Sequence, residues 1–392
     1  MMSSLVAFSI DAMLPALPQI AHDLGIARDN DRQLILSVLF LGMAVGQIGY
    51  GPVSDSVGRK PAIYGGLVIF IAGTVMCILA GDLRVMLLGR FLEGVGAAGP
   101  RIVSMALVRD LYRGDAMARI LSLVTSVFIL VPVVAPSVGQ GILIVAHWRV
   151  IFAVLLGQAL IGFVWFAWRQ EETLPASRRA AFTLRRIASA FRETCRNRIA
   201  IGYTLSAGLV YGAFIGYLSS AQQILQEQYR LGTLFPLYFA APAMAIGAAS
   251  VVNARLVLRL GMRRLARTAL AVMSALSGCF LAVAFATGGQ PPLWSLVAYL
   301  VVTFFCLGIL FGNFNALAME PLGHIAGVAA AVVGSLTTFL SLGLGTALGQ
   351  VYDGTVRPLV AGFAILTLAS AALMAFAERG RGRAGPAASS ES

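Results

Sequence analysis

Nine stretches of this chain run for nineteen residues or more without Asp, Glu, Lys or Arg: residues 33–54, 61–81, 120–148, 150–168, 199–226, 231–254, 268–319, 321–352 and 358–377. In hydrocarbon every backbone amide must be satisfied within the structure, and roughly 20 helical residues cross a core about 30 Å thick, so these runs predict membrane-spanning helices. The run 268–319 is too long for one crossing and breaks at Gly288-Gly289-Gln290-Pro291-Pro292, a turn signal that makes it two. Residues 1–20, which carry Asp11, and 83–108, which carry Arg90, Glu93 and Arg101, bring the expected total to twelve. The first of these is only just long enough to span. It runs into Asp11 and two prolines without a small-residue cleavage site, and so reads as a span and not a signal peptide.

A composition of 58% hydrophobic and 12% charged residues, with a mean hydropathy of +0.84, excludes an ordinary water-soluble domain. The net charge of +12 would suit nucleic acid only if the bases clustered on a soluble face, and here they lie between apolar spans. Of 29 Lys and Arg residues, 21 fall in one alternating set of connections, six in the other, and Arg90 and Arg101 lie inside spans. The positive-inside rule then places both termini and the long central loop in the cytoplasm of a bacterial-type inner membrane. Cys77, Cys195, Cys279 and Cys306 have no metal or redox spacing, and no disulfide is expected.

The arginine-rich segment 169–198 divides the spans six and six. This gives an all-α membrane protein with six-helix bundles at 1–168 and 199–378, a cytoplasmic loop between them, and a disordered tail at 379–392. Residues 182–191 can form an amphipathic helix on the inner surface, its arginines near anionic lipid, or serve as a plain tether. The halves echo each other weakly. Gly58-Arg59-Lys60 follows span two and Gly261-Met262-Arg263-Arg264 follows span eight, although no acid stands three residues before Gly261. Duplicated halves are how transporters build alternating access around a midplane site.

Ionisable residues inside a membrane are costly and rare unless they work or pair. Asp11 precedes Pro15 and Pro18, which loosen the helix beyond it. Arg90, Glu93, Ala97 and Arg101 share one helix face, so Glu93 can pair with Arg90 one turn away. That pair either fixes packing or tunes a proton site, because desolvation and a neighbouring guanidinium act oppositely on a carboxyl. Gly94-Val95-Gly96-Ala97-Ala98-Gly99 matches the dinucleotide pattern but lacks its strand, and reads with Gly42/Gly46, Gly212/Gly216, Gly308/Gly312 and Gly345/Gly349 as close helix packing. In span five Pro132, Pro136, Gly139 and Gly141 predict a bend. Tyr211, Phe214, Leu218 and Gln222 form one stripe of span seven, and span ten offers Phe304, Phe305, Phe311, Asn313 and Asn315. Such stripes are either packing or the apolar wall of a cavity for a lipophilic molecule.

At these residues the chain resembles the major facilitator superfamily, and more narrowly its drug:proton antiporter family with twelve spans, the bicyclomycin and chloramphenicol resistance branch. Gly51, Asp55, Gly58, Arg59 and Lys60 match the loop motif G-x-x-x-D-x-x-G-R-K. The resemblance implies a charge relay of that acid and arginine with Arg109, Asp110 and the region after His324, acting as a lock on the outward-open state. Asp11-Ala12-Met13-Leu14-Pro15 with Leu17-Pro18 is similar to the branch's span-one signature, with Met13 where an aromatic is usual. Arg90 to Gly96 is similar to R-x-x-Q-G-x-G, and Ala135-Pro136 with Gly139 to the span-five antiporter motif. Two departures stand out: Glu93 replaces a glutamine, adding a second candidate proton site, and Ala135 replaces a glycine.

The resemblance implies a monomeric secondary transporter that exports amphipathic organic compounds against inward protons, with no cofactor beyond the coupling ion. An exporter of one native metabolite, an amino acid or sugar derivative, is the alternative. A membrane-embedded enzyme is disfavoured because no H-E-x-x-H or G-x-S-x-G occurs and the three histidines, His22, His147 and His324, lie near span ends.

Overall fold

The computed structural model describes residues 2–112, 114–179 and 184–379. The expected disordered tail from 380 onward and the first residues of the amphipathic segment lie outside them. Eleven helices among the described residues are long and apolar enough to cross a membrane. Helix α6, Gly114–Val145, adds a shorter apolar stretch, Leu130–Val145.

Span one is interrupted. Helix α1, Met2–Asp11, stops at the acid, a 3-10 turn covers Leu14–Ala16, and α2, Leu17–Asp23, resumes the direction. Pro15 and Pro18 supply no amide hydrogen there, which accounts for the break, and the crossing extends three residues past the expected end at 20. The remaining N-terminal spans are α3 (Leu34–Val57), α4 (Arg59–Leu79), α5 (Leu83–Leu111), α6 and α7 (Arg149–Arg169). Helix α8, Leu184–Arg196, lies in the central loop, and Asn197 caps the next helix through bonds of 3.0 Å from the Ile199 and Ala200 amides. The second half follows as α9 (Arg198–Gln222), continued by a π-helical turn Gln223–Gln228, α10 (Phe235–Leu260), α11 (Met262–Ala286), α12 (Leu293–Met319), α13 (Ala326–Gln350) and α14 (Arg357–Glu378).

Packing repeats between halves. The pairs α3 with α5, α4 with α5, α1 with α6 and α4 with α7 recur as α10 with α12, α11 with α12, α9 with α13 and α11 with α14. The halves meet through α3 with α13 and α6 with α10, two contacts that exchange under the same pseudo-symmetry. Glycines permit the closest crossings: a Cβ on Gly42 would strike the Phe91 carbonyl, and one on Gly94 the Leu39 carbonyl. The glycine-rich run of span four is therefore a packing surface.

One expectation needs correction. The loop motif from Gly51 to Lys60 is not a loop along its length, because α3 continues through Val57 and a single residue, Gly58 at φ +112°, reverses the chain before α4. Ser54 and Ser56 each bond the carbonyl three residues back at 2.9 Å, which satisfies these hydroxyls on the helix itself. Span five runs as one helix, α6, through both Pro132 and Pro136. Prolines are tolerated inside a membrane helix whose neighbours accommodate the freed groups.

Candidate functional site

Asp11 ends α1 at 4% exposure, and among the described residues no donor is hydrogen-bonded to its carboxylate. Its backbone is held from two sides. Gly139 of α6 lies so close to the Ala12 carbonyl that any side chain there would collide with it. Ala135, one turn away on the same helix, is fully buried. The span-five glycine thus acts by close approach to the break beside Asp11. From the second half, Tyr217 lies within electrostatic reach of Asp11.

Arg90 makes the other contact with span one. Its Nη2 donates to the Ser9 carbonyl at 2.9 Å, one of the carbonyls at the end of α1 with no helical partner, and its Nε reaches the Ile35 carbonyl of α3 at 3.3 Å. Its Nη1 meets Glu93 Oε2 at 2.5 Å, and Thr74 of α4 donates to the other Glu93 oxygen at 2.8 Å. Both charged side chains are wholly buried, and the Arg90 guanidinium lies 5.7 Å from the Phe152 ring centroid on α7. Arg90 and Glu93 therefore knit five spans of the first half, with every face of the pair occupied. Removing one partner would strand a buried charge.

Arg101, three turns further along α5, is half-buried and within electrostatic reach of Tyr211 on α9. Tyr211 stacks on Phe311 of α12 at 4.1 Å and 12°, and Phe214 stands edge-on to Phe311 at 5.7 Å. These three rings are half-buried, whereas Phe304 behind them is 2% exposed. The polar members of the expected wall go elsewhere. Gln222 donates to Gln226 and Glu227 at 3.1 and 3.2 Å, Asn313 bridges to Asn253 of α10 at 2.8 Å, and Asn315 is exposed.

Among the described residues, the ion pairs at the arginine-rich end lie within a half or reach the central loop. Arg59 donates to Ser54 at 2.8 Å, Asp55 at 2.5 Å and Asp110 at 2.9 Å. Glu172 of the central loop, which the sequence reading did not single out, accepts the Arg59 and Lys60 amides at 3.0 Å each and the Leu174 amide at 2.8 Å. Partial burial raises the Glu172 carboxyl, but those three amides outweigh it and hold the group below its ordinary range. A side chain on Gly58 would come within 2.5 Å of this carboxylate. Arg109 is exposed and forms no ion pair among the described residues, and His324 meets Glu193 of α8 at 2.7 Å. In the second half Gly261, at φ +76°, turns the chain as Gly58 does. Arg263 then pairs with Glu320 at 2.5 Å, near Glu378, which also binds Arg267 at 2.5 Å and Tyr203 at 2.6 Å.

At the arginine-poor end the halves are joined. Arg32 and Glu227 form a two-pronged ion pair with both contacts at 2.7 Å. Gln33 donates to the Gln223 amide oxygen, Gln223 to Asn30 at 2.9 Å, and Asn30 to the Gln350 and Tyr352 carbonyls at 3.0 and 3.1 Å. The Gln350 side chain returns to the Asn30 carbonyl at 2.9 Å. Burial, with Glu227 and Asp353 nearby, pushes the Tyr352 phenol up to about 12, so it stays neutral beside this network. The Gln and Asn residues of this seal carry no sequence pattern that would have exposed it.

Residues 1–346 match the Major Facilitator Superfamily. The chain is 29% identical over 366 residues to the Bicyclomycin resistance protein homolog of Haemophilus influenzae, covering 92% of this chain and 89% of that one. It is 30% identical over 332 residues to Multidrug resistance protein MdtL of Salmonella heidelberg, covering 83% and 80%. The fold also matches the partially occluded inward open conformation of the xylose transporter XylE from E. coli, with a TM-score of 0.71 at 14% identity over 95% of each chain.

Proposed function

The chain belongs to the Major Facilitator Superfamily and is a multi-pass membrane transporter, and from that premise we propose that it is an antiporter that exports amphipathic drugs or related organic compounds in exchange for protons. The resistance-named relatives support the substrate class. The arginine-rich end is cytoplasmic under the positive-inside rule, which makes the sealed, arginine-poor end the outer one.

The observation that carries the coupling is Asp11. It is an almost fully buried carboxylate at a helix break, pinned by Gly139 from behind and near Tyr217 of the opposite half. With no donor among the described residues, its charge is met in turn by a proton or by substrate. Glu93 is already met by Arg90 and Thr74, so Asp11 carries the transported proton and the Arg90–Glu93 pair holds the frame around it. A proton moving down 100 mV releases about 2.3 kcal/mol, enough to support a gradient of more than tenfold, which costs about 1.4 kcal/mol.

The test is a proteoliposome assay with an imposed pH gradient, a fluorescent pH indicator inside and bicyclomycin as the probe. Wild type should couple bicyclomycin movement to lumenal pH change. Asp11→Asn should lose that coupling, and Glu93→Gln should retain it with a lowered melting temperature. Full coupling in Asp11→Asn rejects the assignment.

A further inference from the structure

Helix α8 joins the arginine-rich end of α9 through a single extended residue, Asn197, and packs on α9 and α13. Ala190 and Thr194, one turn apart, are 3% and 0% exposed on the packed side, and the Thr194 hydroxyl is spent on the Ala190 carbonyl at 2.8 Å. Glu193, the single acid of α8, meets His324. At 3.6 residues per turn, Arg185, Arg192 and Arg196 fall within about 40° of one another on the side away from Ala190 and Thr194. All three are exposed, and none forms an ion pair among the described residues. Between the buried side and this stripe lie Phe191, 48% exposed, and the exposed Cys195 and Ala188. We infer that α8 is a docking surface for anionic phospholipid, the three guanidiniums taking headgroup phosphates and Phe191 entering the acyl layer.

Three features argue for it. The surface of α8 that the protein leaves free is divided into an apolar flank and a cationic stripe, the division of a helix lying in a membrane interface. A tether between halves needs no such division. The place is right as well: α8 lies between two crossings, α7 and α9, and its 13 residues are too few to span but reach about 20 Å along a surface. Trp168, at the end of α7 and 88% exposed, is the residue type that marks the headgroup level on the same side. Charge selects the lipid, because a guanidinium fork matches phosphate and the only carboxylate of the helix is turned to His324. Dissolved phosphate would use the stripe and leave Phe191 in water. The inference holds whichever compound is transported.

The experiment uses the full chain with Cys279→Ser, so that Cys195 is the exposed thiol while Cys77 and Cys306 stay buried. An environment-sensitive dye on Cys195 is read in nanodiscs of phosphatidylcholine, with and without phosphatidylglycerol. The emission should move to the blue in the anionic discs and be quenched there by lipid brominated on its acyl chains. In detergent, short-chain phosphatidylglycerol should bind more tightly than phosphatidylcholine of the same length, and each of Arg185→Gln, Arg192→Gln and Arg196→Gln should lower that preference about fivefold. The triple variant should give the same emission in both discs with its melting temperature unchanged. Phe191→Ser should keep the lipid preference and lose the acyl-chain quenching. Equal emission of the unsubstituted helix in both discs, a blue shift that survives in the triple variant, or the same shift produced by inorganic phosphate alone would overturn the docking surface. If the triple variant does not fold, Arg192→Glu, a single exposed change, decides by the same comparison of discs. No transport is measured, so a failure of proton coupling leaves this readout intact.

Discussion

The two ends of the molecule use polar side chains in opposite ways. At the arginine-rich end, ion pairs close on themselves inside each bundle, Arg59 with Asp55 and Asp110 in one and Arg263 with Glu320 in the other. At the arginine-poor end, amides and one ion pair bridge the bundles, from Asn30, Arg32 and Gln33 to Gln223, Glu227 and Gln350. Charges at the first end stiffen each half as a rigid body, while the bridging network at the second selects which face is shut. In this state, with the arginine-poor end shut, Arg59 spends its guanidinium on its own half.

The sharpest way to break this contrast is Arg59→Ala. The side chain is 11% exposed and serves three oxygens, so its loss should cost about 3 kcal/mol as for a largely buried pair. Thermal melting in detergent and loss of transport would report it. Next comes Arg32→Ala, with Glu227→Ala and the double variant. Losing a two-pronged pair that is half open to water should shift the closed-to-open balance by about 1.5 kcal/mol, or roughly tenfold. Spin labels replacing Asp31 and Asp353 should move apart in all three variants, and a distance distribution unchanged from wild type would remove the seal from the mechanism. Arg263→Ala should cost about 1 kcal/mol or less, because that side chain is 33% exposed. An equal cost for Arg59→Ala and Arg263→Ala would show that the knots are equivalent despite the missing acid before Gly261.

The smallest effect is on pH. The folded Glu172 carboxyl lies below its unfolded value, so its contribution is present above the unfolded pKa and is lost as pH falls through the folded one. Wild type should therefore lose more melting temperature than Glu172→Gln between pH 6 and pH 3.5. Parallel losses would mean that the loop's hold on α4 does not depend on charge.

The membrane-spanning helices, the interruption after Asp11 and the pairing of Arg90 with Glu93 were legible because each leaves a local mark: an uncharged run, a proline, a three-residue spacing. Partners brought together from distant segments leave none. Nothing near Gly261 announces that Arg263 will find Glu320, nor does the central loop advertise Glu172 as the acceptor for two amides of α4. Gly139 was readable as part of a bend, yet its close approach is to a backbone carbonyl more than a hundred residues away. The bridge at the arginine-poor end was hardest of all, since Asn30, Gln33, Gln223 and Gln350 look like ordinary loop polarity until the fold sets them face to face.

That bridge is mostly neutral, which makes the closure of the transporter indifferent to the saltiness of its surroundings. Amides trade protein partners for water at nearly even cost, and dissolved ions screen charges, not amide dipoles. Only the Arg32–Glu227 clasp feels the medium. A cell carried from fresh water to brine would therefore keep a door that swings about as freely as before.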